Sequence, residues 1–318
     1  MRDTNARPRP ARPSAYLALG IGVFVFGLGA ILVKSANAPG SVTTFYRMAV
    51  AAVLVAVPFA RRVRREPRPL AARGVLFAIV GGVSFAMDLW LWATGVMLSG
   101  ATTPTLMANT APLWVGLAGV LFFRERRGGI FWLGLAVALA GAVVVLGADL
   151  ARGAAFGSGT ALGLVAAFFY AGYHVASQRG RAHLSTLTYF WIVTATATVV
   201  LLAVCLITRA PLAGYPAATW LTFLALGVVV QTVGWLSVNY VQGHLPASIV
   251  SPTLLGQPVV TALLAVPLLG ERFTARHIAG GLAVLGGVYV VHRSRQRSAP
   301  AGPSPLSAQD ASKEIPWP

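Results

Sequence analysis

The feature that most constrains this sequence is a succession of long apolar runs separated by short clusters of arginine. Each run has roughly 20 residues, the length that an α-helix needs to cross the hydrocarbon core of a bilayer. We place the runs at 16–33, 42–60, 74–96, 103–123, 129–147, 158–177, 186–208, 217–240, 247–268 and 274–292. The sequence therefore predicts an all-α integral membrane protein with ten transmembrane helices.

Composition supports a membrane protein and excludes two other classes. Charged residues make up 10% of the chain and hydrophobic residues 56%, whereas soluble domains average about 25% charged residues. A chain so poor in charge cannot cover its surface with polar groups in water, which argues against both a soluble enzyme and a disordered protein. No nucleic-acid partner is expected despite the net charge of +17, because the arginines lie between apolar runs.

The distribution of arginine and lysine sets the predicted topology. With ten spans and the N-terminus inside, 19 of the 25 basic residues fall on the inner side and five on the outer side, as the positive-inside rule requires. Both termini are then cytoplasmic. Residues 1–15 form a basic cytoplasmic tail, and the tail 293–318, rich in Pro, Ser and Ala, is predicted to be disordered.

An internal repeat divides the spans into two halves, 16–147 and 158–292. A shift of 146 residues lays 101–146 on 247–292 without a gap. It pairs Ala101 with Ala247, Pro112 with Pro258, Glu125-Arg126 with Glu271-Arg272, Gly134 with Gly280 and Gly141 with Gly287. Because five spans is an odd number, the second half must enter the membrane inverted. Inverted repeats are the architecture of many secondary transporters.

Ten spans, a five-plus-five repeat and a proline thirteen residues before a Glu-Arg helix junction in each half resemble the EamA family of the drug/metabolite transporter superfamily. The strongest stretches are PLWVGLAGVLFFRERRGGIFWLGLAVALAGAVVVL and QPVVTALLAVPLLGERFTARHIAGGLAVLGGVYVV. The resemblance implies a ten-helix transporter of the bacterial inner membrane, usually an exporter of amino acids or other small metabolites. It implies no cofactor and names no substrate.

Asp88 is the only acidic residue well inside a predicted span. A charge at the bilayer centre costs about 2.5–3.5 kcal/mol even on the lenient insertion scale, so Asp88 should face a cavity or a partner. We expect it to carry a proton or to bind a cationic substrate group, with a structural carboxylate as the alternative. Ser84 and Trp92 lie four residues either side and should share its helix face.

Arg47 lies in the outer half of the second span. Its guanidinium could bind a substrate carboxylate through two hydrogen bonds, or it could reach the outer interface along its long stem. Both readings are open, as is a pairing of Arg47 with Asp88.

Prolines interrupt the fourth and ninth spans. Pro112 and Pro258 occupy matching positions near mid-span, and each leaves a carbonyl four residues earlier without its helical donor. Helices broken at matching places in two halves predict a binding site at the membrane midplane, which Asn109 and Gln257 would help to line. Tolerated kinks are the alternative.

The eighth span carries Gln231, Trp235 and Asn239 along one helical stripe. Such a stripe suits a polar substrate cavity, and interhelical hydrogen bonding is the alternative. In the sixth span, His174 could relay protons, although we favour an interfacial anchor for it. Glu125 and Glu271 are expected to form helix caps and local ion pairs.

We therefore expect a secondary transporter, an exporter working by alternating access about a midplane cavity, with protons as one option for the driving force. Its partners would be a small metabolite and the lipid bilayer, with a homodimer left open. A non-transporting sensor or assembly subunit is the main alternative. A membrane-embedded enzyme is least favoured, because the histidines are scattered and no HExxH or GxSxG motif occurs. No catalytic residue and no metal ligand is expected.

Overall fold

A computed structural model describes residues 13–65, 69–99, 107–125, 127–150, 157–257, 259–260, 263–264 and 275–297. Within these ranges the chain is helical, without strands. We number the ten helices α1 (Pro13–Lys34), α2 (Gly40–Arg65), α3 (Ala72–Ser99), α4 (Ala111–Phe123), α5 (Gly129–Leu150), α6 (Ser158–Arg181), α7 (Thr186–Ile207), α8 (Ala217–Gln242), α9 (Ala247–Gly256) and α10 (Ala275–Arg297).

Four helices, α2, α3, α7 and α8, are long and apolar enough to cross a membrane by length and composition. Shorter apolar stretches occur in α1, α4, α5, α9 and α10. The prediction of an all-helical membrane fold is confirmed in this coarser form, and the count of ten spans stays a prediction. Large apolar side chains on the outside of the bundle, such as Val53, Leu121 and Ile207 at 72, 71 and 81% exposed, suit contact with lipid tails.

The contacts between the halves follow a two-fold relation. Helix α1 packs against α8, and its counterpart α6 packs against α3. Three further inter-half pairs join a helix to its own counterpart: α2 to α7, α4 to α9 and α5 to α10. The contacts of α3 with α7 and of α2 with α8 are also exchanged by the two-fold relation. Every main pairing is thus reproduced when the two halves are exchanged, as expected for a duplicated five-helix unit.

Glycines in α5 and α10 show how two counterpart helices meet. A Cβ atom on Gly134 would lie 2.9 Å from the carbonyl oxygen of Gly287, and one on Gly141 would lie 2.7 Å from that of Gly280. The 146-residue shift equates Gly134 with Gly280 and Gly141 with Gly287, so each glycine faces the counterpart of the other. The two helices therefore run antiparallel, which is the geometry that an inverted repeat requires.

The two largest apolar cores among the described residues hold most of the bundle together. The first joins α1, α2, α3, α6, α7, α8 and α9, and the second joins α5, α9 and α10. Small residues at close crossings, including Gly22 and Gly29 of α1 against Val238 and Val230 of α8, let the backbones approach without clashes.

Three local departures from α-geometry surround the centre of the bundle. In α8, Leu226–Gly234 is π-helical, and in α9, Leu254–Gly256 is a 3-10 segment. Before α4 the chain makes a turn at 109–110, and Pro112 therefore lies in the first turn of α4. Backbone N–H groups in the first turn have no acceptor within the helix, so a proline there costs no helical hydrogen bond. The helix is thus interrupted just before Pro112, and Pro258 lies outside the described residues.

Candidate functional site

A hydrogen bond between the two halves lies at the centre of the candidate site. Arg47 Nε on α2 donates to Gln231 Oε1 on α8 at 2.8 Å. Arg47 is 7% exposed and Gln231 is fully buried. Arg47 does not reach the outer interface, because its guanidinium is held inside the bundle. The π-helical segment of α8 contains Gln231, and π-segments are frequent at functional sites.

Asp88 on α3 is the acidic group nearest to this hydrogen bond among the groups that act on Arg47. It is 7% exposed and lies in electrostatic range of Arg47. Tyr170 on α6 lies in electrostatic range of both residues, and its side chain is hydrogen-bonded to Gln257 of the α9 region. The structure thus connects four of the predicted site residues, Arg47, Asp88, Gln231 and Gln257, through contacts among α2, α3, α6, α8 and the end of α9.

Trp235 lies one turn beyond Gln231 and is packed among aromatic rings. Its ring centroid is 4.6 Å from those of Phe26 and Phe85, 5.1 Å from that of Tyr173 and 6.0 Å from that of Tyr170. An indole enclosed in this way has few alternative rotamers. The rings therefore form a rigid apolar wall beside the charged groups.

Two further polar pairs continue along α8 toward the end that the predicted topology places inside. Asn239 Nδ2 donates to Tyr173 Oη at 2.8 Å, and Gln242 Nε2 lies 2.5 Å from His174 Nδ1. All four side chains are at most 3% exposed. Asn239 therefore makes an interhelical hydrogen bond, which was the alternative explanation for the stripe. Asn239 also lies one helical turn after Trp235 on α8.

Several polar atoms on this stripe and on neighbouring helices are buried and have no hydrogen-bond partner. Those on the stripe are Gln231 Nε2, Trp235 Nε1, Asn239 Oδ1 and Gln242 Oε1, and those on neighbouring helices are His174 Nε2 of α6 and Ser251 Oγ of α9. Buried polar atoms nearly always have partners in native proteins, with water or ligand included. The stripe therefore offers both donors and acceptors to a polar molecule that enters the bundle.

His174 contradicts the prediction of an interfacial anchor. Its side chain is fully buried, packed against Tyr170 and Trp235 and bonded to Gln242. The prediction was wrong because the helical pattern gives the face on which a residue lies but not whether another helix covers that face.

The remaining candidates lie at the edge of this centre. Ser84 is half-buried and faces α6 at Gly172, and Trp92 is half-buried one turn beyond Asp88 on α3. Asn109 is half-buried in the turn before α4. Glu125 forms the predicted local ion pair, with Arg127 Nη2 at 2.7 Å, and Glu271 lies outside the described residues.

The same ion pair also connects the two halves. Ser248 of α9 donates to Glu125 Oε2 at 2.7 Å and accepts from Arg127 Nη2 at 2.5 Å. A Cβ atom on Gly119 would lie 2.6 Å from Glu125 Oε2, so glycine there makes room for the carboxylate. Nearby, Arg179 of α6 donates to the Phe122 carbonyl at 2.9 Å. These contacts hold together the ends of α4, α6 and α9 that the predicted topology places inside.

Tyr170, Gln242 and Phe85 belong to this centre, although the sequence did not place them among the predicted substrate-binding residues. Gln242 continues the stripe of Gln231, Trp235 and Asn239 by one further turn, so its spacing carries a signal. Tyr170 carries no such signal, because its importance comes from Asp88 and Arg47 on other helices. Phe85 looks like any apolar residue of a span.

Comparison with known proteins points to transport. The sequence pattern of the EamA-like transporter family matches residues 13–147 and again 157–293. A pseudopaline exporter of Pseudomonas aeruginosa is 25% identical over 288 residues, which cover 89% of this chain and 97% of the exporter. A probable amino-acid metabolite efflux pump of Salmonella typhimurium is 26% identical over 292 residues, covering 88% of this chain and 95% of the pump.

A third relative is a probable terminal-alkyne amino-acid exporter of Streptantibioticus cattleyicolor, 25% identical over 281 residues, with 88% of this chain and 89% of that protein covered. A solved structure described only as the crystal structure of a protein superimposes with a TM-score of 0.75 at 20% identity. It covers 90% of this chain and 100% of its own. At that identity the superposition supports the fold alone.

Proposed function

Because the chain belongs to the EamA-like transporter family, we propose that it exports a small zwitterionic metabolite, such as an amino acid or a derivative, by alternating access. The observation that carries the substrate class is the buried Arg47–Gln231 hydrogen bond with Asp88 in electrostatic range. A guanidinium and a carboxylate facing one site complement a substrate that carries a carboxylate and an ammonium group.

Arg47 is the proposed ligand of the substrate carboxylate. Its Nε is bonded to Gln231, and a guanidinium has further N–H groups arranged for bidentate binding of a carboxylate. Gln231 has an unpartnered Nε2 donor beside it, which would add a third hydrogen bond. Asp88 would receive the ammonium group, and the wall around Trp235 would contact the apolar part of the substrate.

Alternating access is supported by the placement of these groups on both halves. Arg47 and Asp88 belong to the first half, while Gln231 and Trp235 belong to the second. A relative movement of the halves would therefore change the site itself. The contacts of Glu125 and Arg127 with Ser248 close the bundle at its inner end, and they would have to separate for a substrate to enter from the cytoplasm.

Counterflow in proteoliposomes tests this proposal. Purified protein is reconstituted into vesicles preloaded in turn with amino acids, small amines, nucleobases or sugars, and uptake of a labelled trace is measured. We expect uptake only with amino acids or their derivatives. Uptake with amines alone would show that Arg47 does not bind a substrate carboxylate. If the protein is shown to be folded and no compound class supports uptake, the proposal of a zwitterionic substrate is rejected.

Variants of α2 sharpen the test. Arg47→Gln should lower counterflow by about 10-fold to 100-fold, because hydrogen bonds to a charged group contribute about 1.5–3 kcal/mol. Arg61→Gln is the matched control, since Arg61 is an exposed arginine on the same helix and should leave counterflow unchanged. Equal counterflow in both variants would contradict the assignment.

Proton coupling belongs to the same proposal. If Asp88 carries the coupling proton, Asp88→Asn should abolish uptake driven by a pH gradient and preserve exchange of substrate for substrate. An Asn variant with full pH-driven uptake would exclude Asp88 as the proton carrier.

A further inference from the structure

A second buried polar cluster lies between Trp235 and the inner end of α8. It consists of His174 on α6 and of Asn239 and Gln242 on α8, and each of these side chains is at most 3% exposed. Gln242 is the last residue of α8 and is followed by the short turn 243–246. The cluster thus extends from the candidate substrate site to the edge of the bundle.

This cluster is incompletely hydrogen-bonded. His174 Nε2, Asn239 Oδ1 and Gln242 Oε1 are buried without a partner. Leaving a buried donor or acceptor unpaired costs about 1–3 kcal/mol, so three such atoms within one cluster are unfavourable unless another molecule pairs with them. Water can pair with all three atoms, because it both donates and accepts hydrogen bonds.

A single residue separates His174 from the charged pair. Tyr170 lies one helical turn before His174 on α6, and the two rings are 4.6 Å apart. Tyr170 interacts electrostatically with Asp88 and Arg47. A polar route therefore runs from Asp88 past Tyr170 to His174, and from there to Gln242 at the end of α8.

We propose that His174 relays protons between Asp88 and the cytoplasm, with Gln242 as the exit of the route. This inference rests on the proposed proton-coupled transport and adds the path that the proton takes. Histidine suits the role because its ring accepts a proton on one nitrogen and releases one from the other.

The proton balance of the relay is simple. The ring starts with its proton on Nδ1, donated to Gln242 Oε1, and with Nε2 free. A proton that leaves the Asp88 carboxyl reaches Nε2 through the Tyr170 hydroxyl or a water beside it. The Nδ1 proton then passes to water that enters beside Gln242. The ring is left with its proton on Nε2, and rotation of the Gln242 amide lets its Nε2 donate to Nδ1, as in the structure. Before the next transfer, a flip of the ring about the Cβ–Cγ bond and the reverse rotation of the amide turn the ring N–H back toward Gln242 Oε1.

The surroundings of His174 fit this transfer. Of the titratable groups, Tyr170 and Tyr173 on α6 contact the His174 ring. Beyond them lie Asp88 on α3 and Arg47 on α2, in electrostatic range of Tyr170, and Tyr189 on α7 and Arg181 at the end of α6, in electrostatic range of each other. Arg181 is occupied by the Asn239 carbonyl and by Thr186. Among the described groups, Asp88 is therefore the acid that can supply the proton.

The test compares two transport modes in the same proteoliposomes. Counterflow of a labelled amino acid reports exchange, and uptake driven by a pH gradient, with pyranine inside the vesicles, reports coupled proton movement. His174→Gln should keep counterflow within about twofold of the unmodified protein and reduce pH-driven uptake and the pyranine signal at least tenfold. His244→Gln is the matched control, because His244 lies in the turn after α8, where its Nδ1 lies 2.9 Å from the Tyr240 carbonyl oxygen, away from the route.

The other outcomes contradict either the relay through His174 or the proposed transport function. Wild-type pH-driven flux in His174→Gln overturns the relay, and so does an unmodified protein that exchanges amino acids without moving protons. An unmodified protein without counterflow rejects the proposed function instead. If His174→Gln does not fold, Gln242→Ala replaces it, and full coupling in that variant overturns the route through Gln242.

Discussion

Gly287 allows a sharp test of the antiparallel contact between α5 and α10. A Cβ atom on Gly287 would lie 2.4 Å from the backbone nitrogen of Ala138 and 2.5 Å from the carbonyl oxygen of Gly134. Ordinary van der Waals contact begins near 3.4 Å, so Gly287→Ala creates overlaps of roughly 0.9 Å. Both obstructing atoms belong to a helix backbone, and the overlap can be relieved only if the two helices separate.

Two opposing effects set the change in the free energy of unfolding that Gly287→Ala should cause. Overpacking of this kind costs about 1–3 kcal/mol, and backbone obstruction favours the upper half of that range. Alanine also favours a helix over glycine by about 1 kcal/mol. Gly286→Ala is the matched control, because Gly286 has the same gain in helix propensity and nothing within 4 Å of its Cβ position. The free energies of unfolding of the two variants should differ by about 2–3 kcal/mol.

The measurement is equilibrium unfolding of the purified protein in detergent micelles, followed by circular dichroism and by a thiol-reactive dye. The dye reports on Cys205, which is fully buried in α7. Gly286→Ala should be at least as stable as the unmodified protein, and Gly287→Ala should be less stable. Equal stabilities within about 0.5 kcal/mol would refute the close antiparallel packing of these helices.

Three further predictions concern other contacts. Glu125→Gln and Ser248→Ala should each lower the free energy of unfolding by about 1.5–3 kcal/mol, because each change removes hydrogen bonds that involve a charged group; an unchanged free energy of unfolding for either variant would contradict this contact. Tyr189→Phe should cost about 1 kcal/mol through the lost hydrogen bond to Ser177, and an unchanged unfolding midpoint would show that the bond contributes nothing. In a Cys205→Ala background, a membrane-impermeant maleimide should label Gly128→Cys only from the cytoplasmic side and Ala213→Cys only from the opposite side, and the reverse pattern would overturn the predicted orientation.

The sequence predicted the helices and the repeat well for a physical reason. Apolar runs and arginine clusters are local signals, and the register that pairs Gly134 with Gly280 is visible without any structure. The contact of Gly134 with Gly287 then follows once counterpart helices are known to meet, although nothing in the sequence says that they do.

The site was predicted only in part because its key contacts join distant residues. Arg47 and Gln231 are 184 positions apart, and helical periodicity cannot show which helix a side chain meets. Arg47 was therefore equally compatible with the lipid interface, and His174 was placed at the surface although α8 covers it. The π-helical segment of α8 has no signature that we could read from the sequence.

The contact of counterpart helices bears on how such a chain could arise by gene fusion. Two separate five-helix chains related by a two-fold axis would carry every substitution twice, so an arginine and an aspartate at the positions of Arg47 and Asp88 would place four ionisable side chains in one apolar bundle. In this single chain, α7 and α8, the counterparts of α2 and α3, contain no charged residue. A single chain can therefore carry these two residues once, at half the desolvation cost of a symmetric pair of chains.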